Sequence, residues 1–309
     1  MATSIISSES VESTEIAAKP SVWSRLLRQP SVVIGFLIFA VIASTGVLAP
    51  ALTSLDPAAI NPANRNKTPG HVSTIRNDDG DKIQVVARMG TDSLGRDIYT
   101  RVIYGARVSL VVGVAVALIS VSVGLVIGLV AGYFRWVDSV VMRIMDGLMA
   151  IPAILLAIAL VSLSGASLMT VIVAVAIPEV PRVVRLVRSI VLSIREEPYV
   201  EAAISVGTAT PTILVRHVLP NTVAPLIVQG TFICGSAILL EAILSFLGVG
   251  IPPETPTWGN IMAEGRQFFQ IYPHNIFFPG VFLTLTVLAI NMLGDGLRDT
   301  IDPRLSRRI

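Results

Sequence analysis

Long apolar runs alternate with short polar stretches along this chain, and most of the runs are of one size. A helix crossing a hydrocarbon layer about 30 Å thick needs about 20 mostly apolar residues at 1.5 Å each. Six stretches meet that length: about 31–52, 107–134, 138–161, 168–186, 221–246 and 276–297. The second is the clearest, free of charge from Val108 to Phe134 between Arg107 and Arg135. The third and fourth carry Arg143 with Asp146 and Glu179 with Arg182. A charge at the bilayer midplane costs about 2.5–3.5 kcal/mol and less near a helix end. Both pairs have i,i+3 spacing and fall toward one membrane side. Pairs that stabilise the cytoplasmic helix ends are therefore favoured over a role in substrate binding.

Within the second run, Ser120, Gly124, Gly128 and Gly132 recur every four residues. Small residues at that interval let another helix approach closely, which apolar helices in lipid need for van der Waals packing. The pattern leaves open whether the neighbour lies in this chain or another. Pro152, Pro178, Pro181 and Pro225 mark kinks in the third, fourth and fifth runs, by loss of a backbone donor and a clash with the preceding turn. Bent helices around a pathway and plain packing kinks account for them equally well.

Composition agrees with the membrane class. The chain has 309 residues, 53% hydrophobic and only 14% charged, with mean hydropathy +0.74. A net charge of +2 gives no case for nucleic acid. Cys234, the single cysteine, sits in an apolar run as a small packing residue. The chain's three lysines never follow glycine, so the Gly-Lys of a phosphate-binding loop is absent, as are HExxH, GxSxG and CxxC. No catalytic residue, metal site or cofactor is expected. If ATP powers this chain, another polypeptide hydrolyses it.

Most Lys and Arg residues fall in the tail before the first run, in the segment around 182–216, and after the last run. By the positive-inside rule both termini and the 187–220 loop are cytoplasmic. The first run is too long for the core of a cleaved signal peptide and reads as an anchor. The 53–106 segment is then extracytoplasmic. Val72–Arg76 and Lys82–Ala87, joined through Asn77-Asp78-Asp79-Gly80, predict a β-hairpin. Ile98, Tyr99, Val102 and Ile103, with Asp97 and Arg101 on the other side, predict a short amphipathic helix at the interface, an elbow into the second run.

The cytoplasmic loop reads EEPYVEAAISVGTATPTILVRHVLP over 196–220. Pro198 suits a first helical turn, and that helix stops at Gly207. Thr210 is placed as the cap of a second helix with Pro211 at its first position, and Pro220 as its end. Ala202 and Ala203 leave a thin face able to enter a groove, and Glu201 adds a charge for a basic partner.

Glu201-Ala202-Ala203, then Gly207, nine intervening residues, and His217-Val218-Leu219-Pro220 resemble the signature loop of the permease subunits of binding-protein-dependent ABC importers. Further stretches resemble the dipeptide, oligopeptide and nickel branch: Gly90-Thr91-Asp92-Ser93-Leu94-Gly95-Arg96-Asp97, Leu244 to Gly248, Trp258-Gly259-Asn260 and Gly294 to Arg304. Their order is similar to that of the second permease of a dipeptide system. Two departures stand out. The general signature has Ile at His217, although this branch commonly has His; and Ile177, Val180 and Pro181 replace the usual residues before Arg182 and Arg185.

The resemblance implies an all-α permease of six transmembrane helices in the bacterial inner membrane, importing dipeptides or short oligopeptides. Its parts would be a tail (1–30), a first helix with an extracytoplasmic loop (31–106), a permease core (107–301) holding the docking loop (187–220), and a tail (302–309). Implied partners are a homologous second permease, two ATP-binding subunits that grip the loop, an extracytoplasmic substrate-binding protein and the lipid bilayer. A nickel importer is an alternative within the branch. A proton-coupled secondary transporter, with Asp146, Glu241 or Asp295 as relay, is disfavoured because no repeated halves are visible.

Overall fold

The computed structural model describes Leu26 and residues 29–76 and 82–301. Among the described residues the regular structure is helical apart from one hairpin. Helix α1 spans Pro30–Val47 and is followed by the short α2, Ala49–Leu52. Strands β1 (His71–Arg76) and β2 (Lys82–Ala87) pair antiparallel with His71 opposite Ala87. The expected hairpin is present, and its turn lies outside the described residues. Then come α3 (Ile98–Tyr133), α4 (Arg135–Ala150), α5 (Ala153–Ser164) and α6 (Leu168–Arg195). Helices α7 (Pro198–Ser205), α8 (Thr210–Ile213), α9 (Leu219–Phe246), α10 (Trp258–Gly265) and α11 (His274–Ile301) complete the order.

Among the described residues four segments are long and apolar enough to cross a membrane: Pro30–Val47, Ile98–Tyr133, Thr210–Phe246 and His274–Thr300. A fifth is formed if α4 and α5 count as one crossing, bent by 90°. The third apolar run is thus two helices rather than one kinked span. Pro152 is the residue just before α5 and its neighbour Ile151 is extended, the backbone that a following proline enforces. Pro178, Pro181 and Pro225, by contrast, sit inside continuous helices.

A second correction concerns the start of α3. No elbow separates residues 98–104 from the apolar run, because one helix of 36 residues covers both. Ile98, Val102 and Ile103 do not lie on a membrane surface. All are buried, Ile98 and Val102 with Trp258, Ile238, Ala242 and Ile261 in a core shared by α3, α9 and α10. Helical spacing reported an apolar face correctly and could not say whether lipid or protein covers it.

The larger core lies where α3 runs along α6. Gly124, Gly128 and Gly132 all face this neighbour. A Cβ on each would stand 2.5, 2.7 and 2.7 Å from the Cβ of Val183, Val187 and Val191, closer than packed atoms permit. Two four-residue repeats therefore mesh, glycine against valine, and Ser120 adds a hydrogen bond from its hydroxyl to the Ala176 carbonyl at 3.2 Å. The neighbour of the seam is in this chain.

Gly128→Leu is accordingly expected to destabilise the protein by about 1–3 kcal/mol or more, since an overpacked contact cannot relax against backbone. Val126→Leu, at a position 63% exposed, should change little. Melting curves in detergent check this; equal midpoints for the two variants would contradict the seam's role.

Candidate functional site: an exposed helical handle and a buried outer clamp

Residues 196–220 form a projection on the ends of α6 and α9. Pro198 occupies the first turn of α7, where its missing N–H goes unneeded. The helix closes in a Schellman turn: Gly207 N–H donates to the Ile204 carbonyl (2.9 Å) and Thr208 N–H to the Ala203 carbonyl (3.0 Å). Gly207 has φ +78°, and nothing lies within 4 Å of where its Cβ would be. Glycine is needed there for backbone conformation, not for space.

The outer face of α7 is small and open. Glu201 and Ala202 are exposed and Ala203 is half-buried. Ile204 and Val206 are exposed too, Val206 at 82%. The underside is anchored: Val200 is fully buried in one cluster with Ile194 of α6, Ile213 of α8 and Val218. A large aliphatic side chain buried this way contributes about 1.5–3 kcal/mol. Force applied to α7 therefore passes to α6 and to the base of α9.

The second half of the loop differs from expectation. Helix α8 begins at Thr210, so Ala209, not Thr210, is its N-cap, and no side chain caps it. Nor does Pro220 end a helix. Leu214–Val218 is a π-turn in which the Leu219 N–H reaches the Leu214 carbonyl, and the helix then runs on through Pro220 as α9. The wider turn gives room to the proline ring and to the carbonyls it leaves unpaired. Asn221 Nδ2 takes up one of these, the His217 carbonyl, at 2.7 Å. His217 is half-buried with its ring centroid 6.1 Å from that of Tyr199, Leu219 is half-buried, and Pro220 is exposed. So the structure brings Glu201, Ala202, Ala203, Gly207, His217, Leu219 and Pro220 onto one projection, with His217 linking its two halves.

Ion pairs bind α4 into the same unit. Asp138 pairs with Arg188, and Asp146 with Arg185, not with Arg143 as the i,i+3 spacing suggested. Arg185 reaches Asp146 across the contact of α6 with α4, at 2.5 Å. Arg195 donates to the Tyr133 carbonyl at 3.1 Å, fixing the end of α6 to the end of α3, a favourable place for a cation. Glu179 and Arg182 do pair, at 3.2 Å.

The sequence motifs at 90–97 and 258–260 meet at the opposite end of α3. Asp92 is buried and accepts hydrogen bonds from the N–H of Leu94 and of Arg96, both at 2.9 Å. Its other oxygen meets Arg96 Nε at 2.7 Å, and Arg96 also reaches Glu264 of α10. Arg101, fully buried, lies 3.5 Å from Glu264 and 3.9 Å from Asp92. Two guanidiniums and two carboxylates thus neutralise one another. Burial opposes charge on Arg96, but Asp92 and Glu264 outweigh it and hold the guanidinium above its ordinary pKa. Burial likewise pushes Asp97 up, although its carboxylate caps α3 by accepting from Thr100 N–H at 2.8 Å.

Beside this clamp, Trp258 Nε1 donates to the Val102 carbonyl (3.0 Å), and Asn260 Nδ2 holds the Ile251 carbonyl (2.9 Å). Gly259 leaves no room for a side chain, since its Cβ would stand 2.5 Å from the Ala242 oxygen. Sequence reasoning placed Arg101 on a solvated face and gave Glu264 no role. The alternation of Asp and Arg at 92, 96, 97 and 101 was the available signal, but their partner lies more than 150 residues away.

Arg96→Met should cost about 3–5 kcal/mol, because two buried carboxylates would then share Arg101 alone. Arg88→Met, at an exposed site, should cost under about 1 kcal/mol. Detergent melting curves measure both, and similar small shifts would mean that the clamp contributes nothing.

Comparison with known proteins bears on what this arrangement serves. A chain of the MetNI methionine ABC transporter, in a structure of inward-facing conformations, superimposes with a TM-score of 0.51 over 65% of this chain and 97% of its own length, at 18% identity. That likeness is one of fold. A protein of Sinorhizobium fredii named a probable peptide ABC transporter permease is 50% identical over 281 residues, 91% of each chain. The dipeptide transport system permease of Alkalihalophilus pseudofirmus is 41% identical over 94% of this chain and 92% of its own. A glutathione transport system permease of Escherichia coli is 48% identical over 70% of this chain and 72% of its own. Residues 21–69 match the N-terminal transmembrane domain of oligopeptide transport permease C. Residues 124–307, which hold the projection and the seam, match the binding-protein-dependent transport system inner membrane component, and the chain belongs to that family.

Proposed function

We propose that this chain is one of two permease subunits of an ATP-driven importer of dipeptides or other short peptides. The names of its relatives support the substrate class. The observation that carries the mechanism is the handle itself: an exposed α7 whose buried underside is fastened to α6 and to the base of α9. Two separate ATP-binding subunits would grip α7 and the π-turn that follows it. An extracytoplasmic binding protein would deliver peptide on the side of the hairpin and the clamp. When the ATP-binding subunits close, α7 would move with α6, and α4 would follow through its two ion pairs. The opening between this chain and the second permease would then change sides.

The orientation follows the same reading, with six crossings and both termini in the cytoplasm. Helix α6, 28 residues long, supplies a crossing despite its charges, and the bent α4–α5 pair another. Residues 31–106 would form the first crossing and outer loop, and 107–301 the transport core.

Gly207→Val is expected to impair both co-purification of the ATP-binding subunits and peptide uptake, because a β-branched residue resists positive φ. Gly207→Asn should retain most of both, since asparagine tolerates that region. If the valine variant imports peptide at the normal rate with its ATP-binding subunits attached, the handle has no coupling role. Topology is checked in a Cys234→Ala background with cysteines at the exposed Thr74 and Ser205. An impermeant thiol reagent should label position 74 from outside and spare 205; the reverse pattern would invert the orientation.

A further inference from the structure

A concavity of about 310 Å³ opens between α6, α9 and α11. Its lining includes Glu179, Arg182, Gln229, Ser236 and Asn291, five polar groups contributed by three helices. The fold brings these groups, distant in sequence, to one concavity. Arg182, paired with the buried Glu179, keeps 52% of its side chain uncovered, and Leu239 on the rim is 44% exposed.

Lipid is a poor cover for such a wall. Ionisable groups within a membrane face a protein interior or a water-filled cavity, because hydrocarbon offers them no hydrogen bonds. We propose that this concavity is the chain's substrate-facing wall of the translocation path, hydrated and open toward the second permease. The inference rests on the peptide-permease reading and adds the residues that meet the cargo. A short peptide carries an ammonium, a carboxylate, amide groups and variable side chains. The wall offers the open Arg182 guanidinium, held from behind by the buried Glu179 carboxylate, together with two amides, a hydroxyl, and the apolar Phe232 and Leu239. That set recognises what all short peptides share and has no deep apolar pocket that would retain one side chain. Loose binding of this kind suits passage over capture.

The test uses the assembled transporter in inside-out membrane vesicles, with Cys234→Ala and a single new cysteine. Ser236→Cys should react with a charged methanethiosulfonate at least tenfold faster than Leu118→Cys, whose position on α3 is 63% exposed and apolar in surroundings. Millimolar dialanine on the same side should slow the Ser236→Cys reaction severalfold. A thiol at 236 that reacts no faster than one at 118 overturns the hydrated wall. A fast thiol that dialanine fails to protect, in a complex that imports dialanine, overturns its contact with cargo. If the unmodified complex imports no peptide, the substrate reading fails instead, and the rate at position 236 still decides whether the wall is hydrated.

Discussion

The close approach of α3 and α6 is the contact on which the other features depend. Lipid supplies no hydrophobic drive to bring two apolar helices together, so the association must come from the contact itself. Glycine at three successive four-residue steps removes the side chains that would separate them, and Val183, Val187 and Val191 fill the space. Each helix carries one of the two sites. One end of α3 forms the buried clamp with α10, and one end of α6 leads into α7. Because the two helices are meshed from Ser120 to Gly132, one cannot slide past the other without clashes.

The two ends use different chemistry for a physical reason. The clamp is charged and largely buried, two arginines against two carboxylates, and this fixes the 90–97 segment on α10 with little freedom. Such a network is a poor source of stability and a good source of definite geometry, since each charge is costly unless all of its partners are in place. Helix α7 presents the opposite character: a small, exposed face able to fit a groove, held from below by Ile194, Val200, Ile213 and Val218. Apolar burial does not demand one hydrogen-bond geometry, which would suit the moving element proposed above.

Much of this was legible in the chain itself. The long charge-poor runs announced the membrane class, and Gly207 located the end of α7 to within a residue or two. The hairpin followed from two β-rich runs around a turn sequence. What stayed hidden depended on partners distant in sequence. Arg101 looked like part of a solvated face until Glu264 was found beside it, and Asp146 looked paired to Arg143 until Arg185 proved nearer. Pro220 looked like a stop because the rule for proline assumes α-helical hydrogen bonding; a π-turn changes which carbonyls need partners. The seam at 120–132 was visible as a pattern, but the identity of its neighbour required the fold.

The central claim is that a separate ATP-binding subunit drives this chain through α7. Photo-crosslinking from position 205, exposed at the end of α7, measures it most directly when compared with position 74 on the hairpin. The account predicts an adduct between residue 205 and an ATP-binding subunit whose yield changes when ATP is bound, and none from residue 74. Absence of any adduct at 205 in an intact, transporting complex would contradict it.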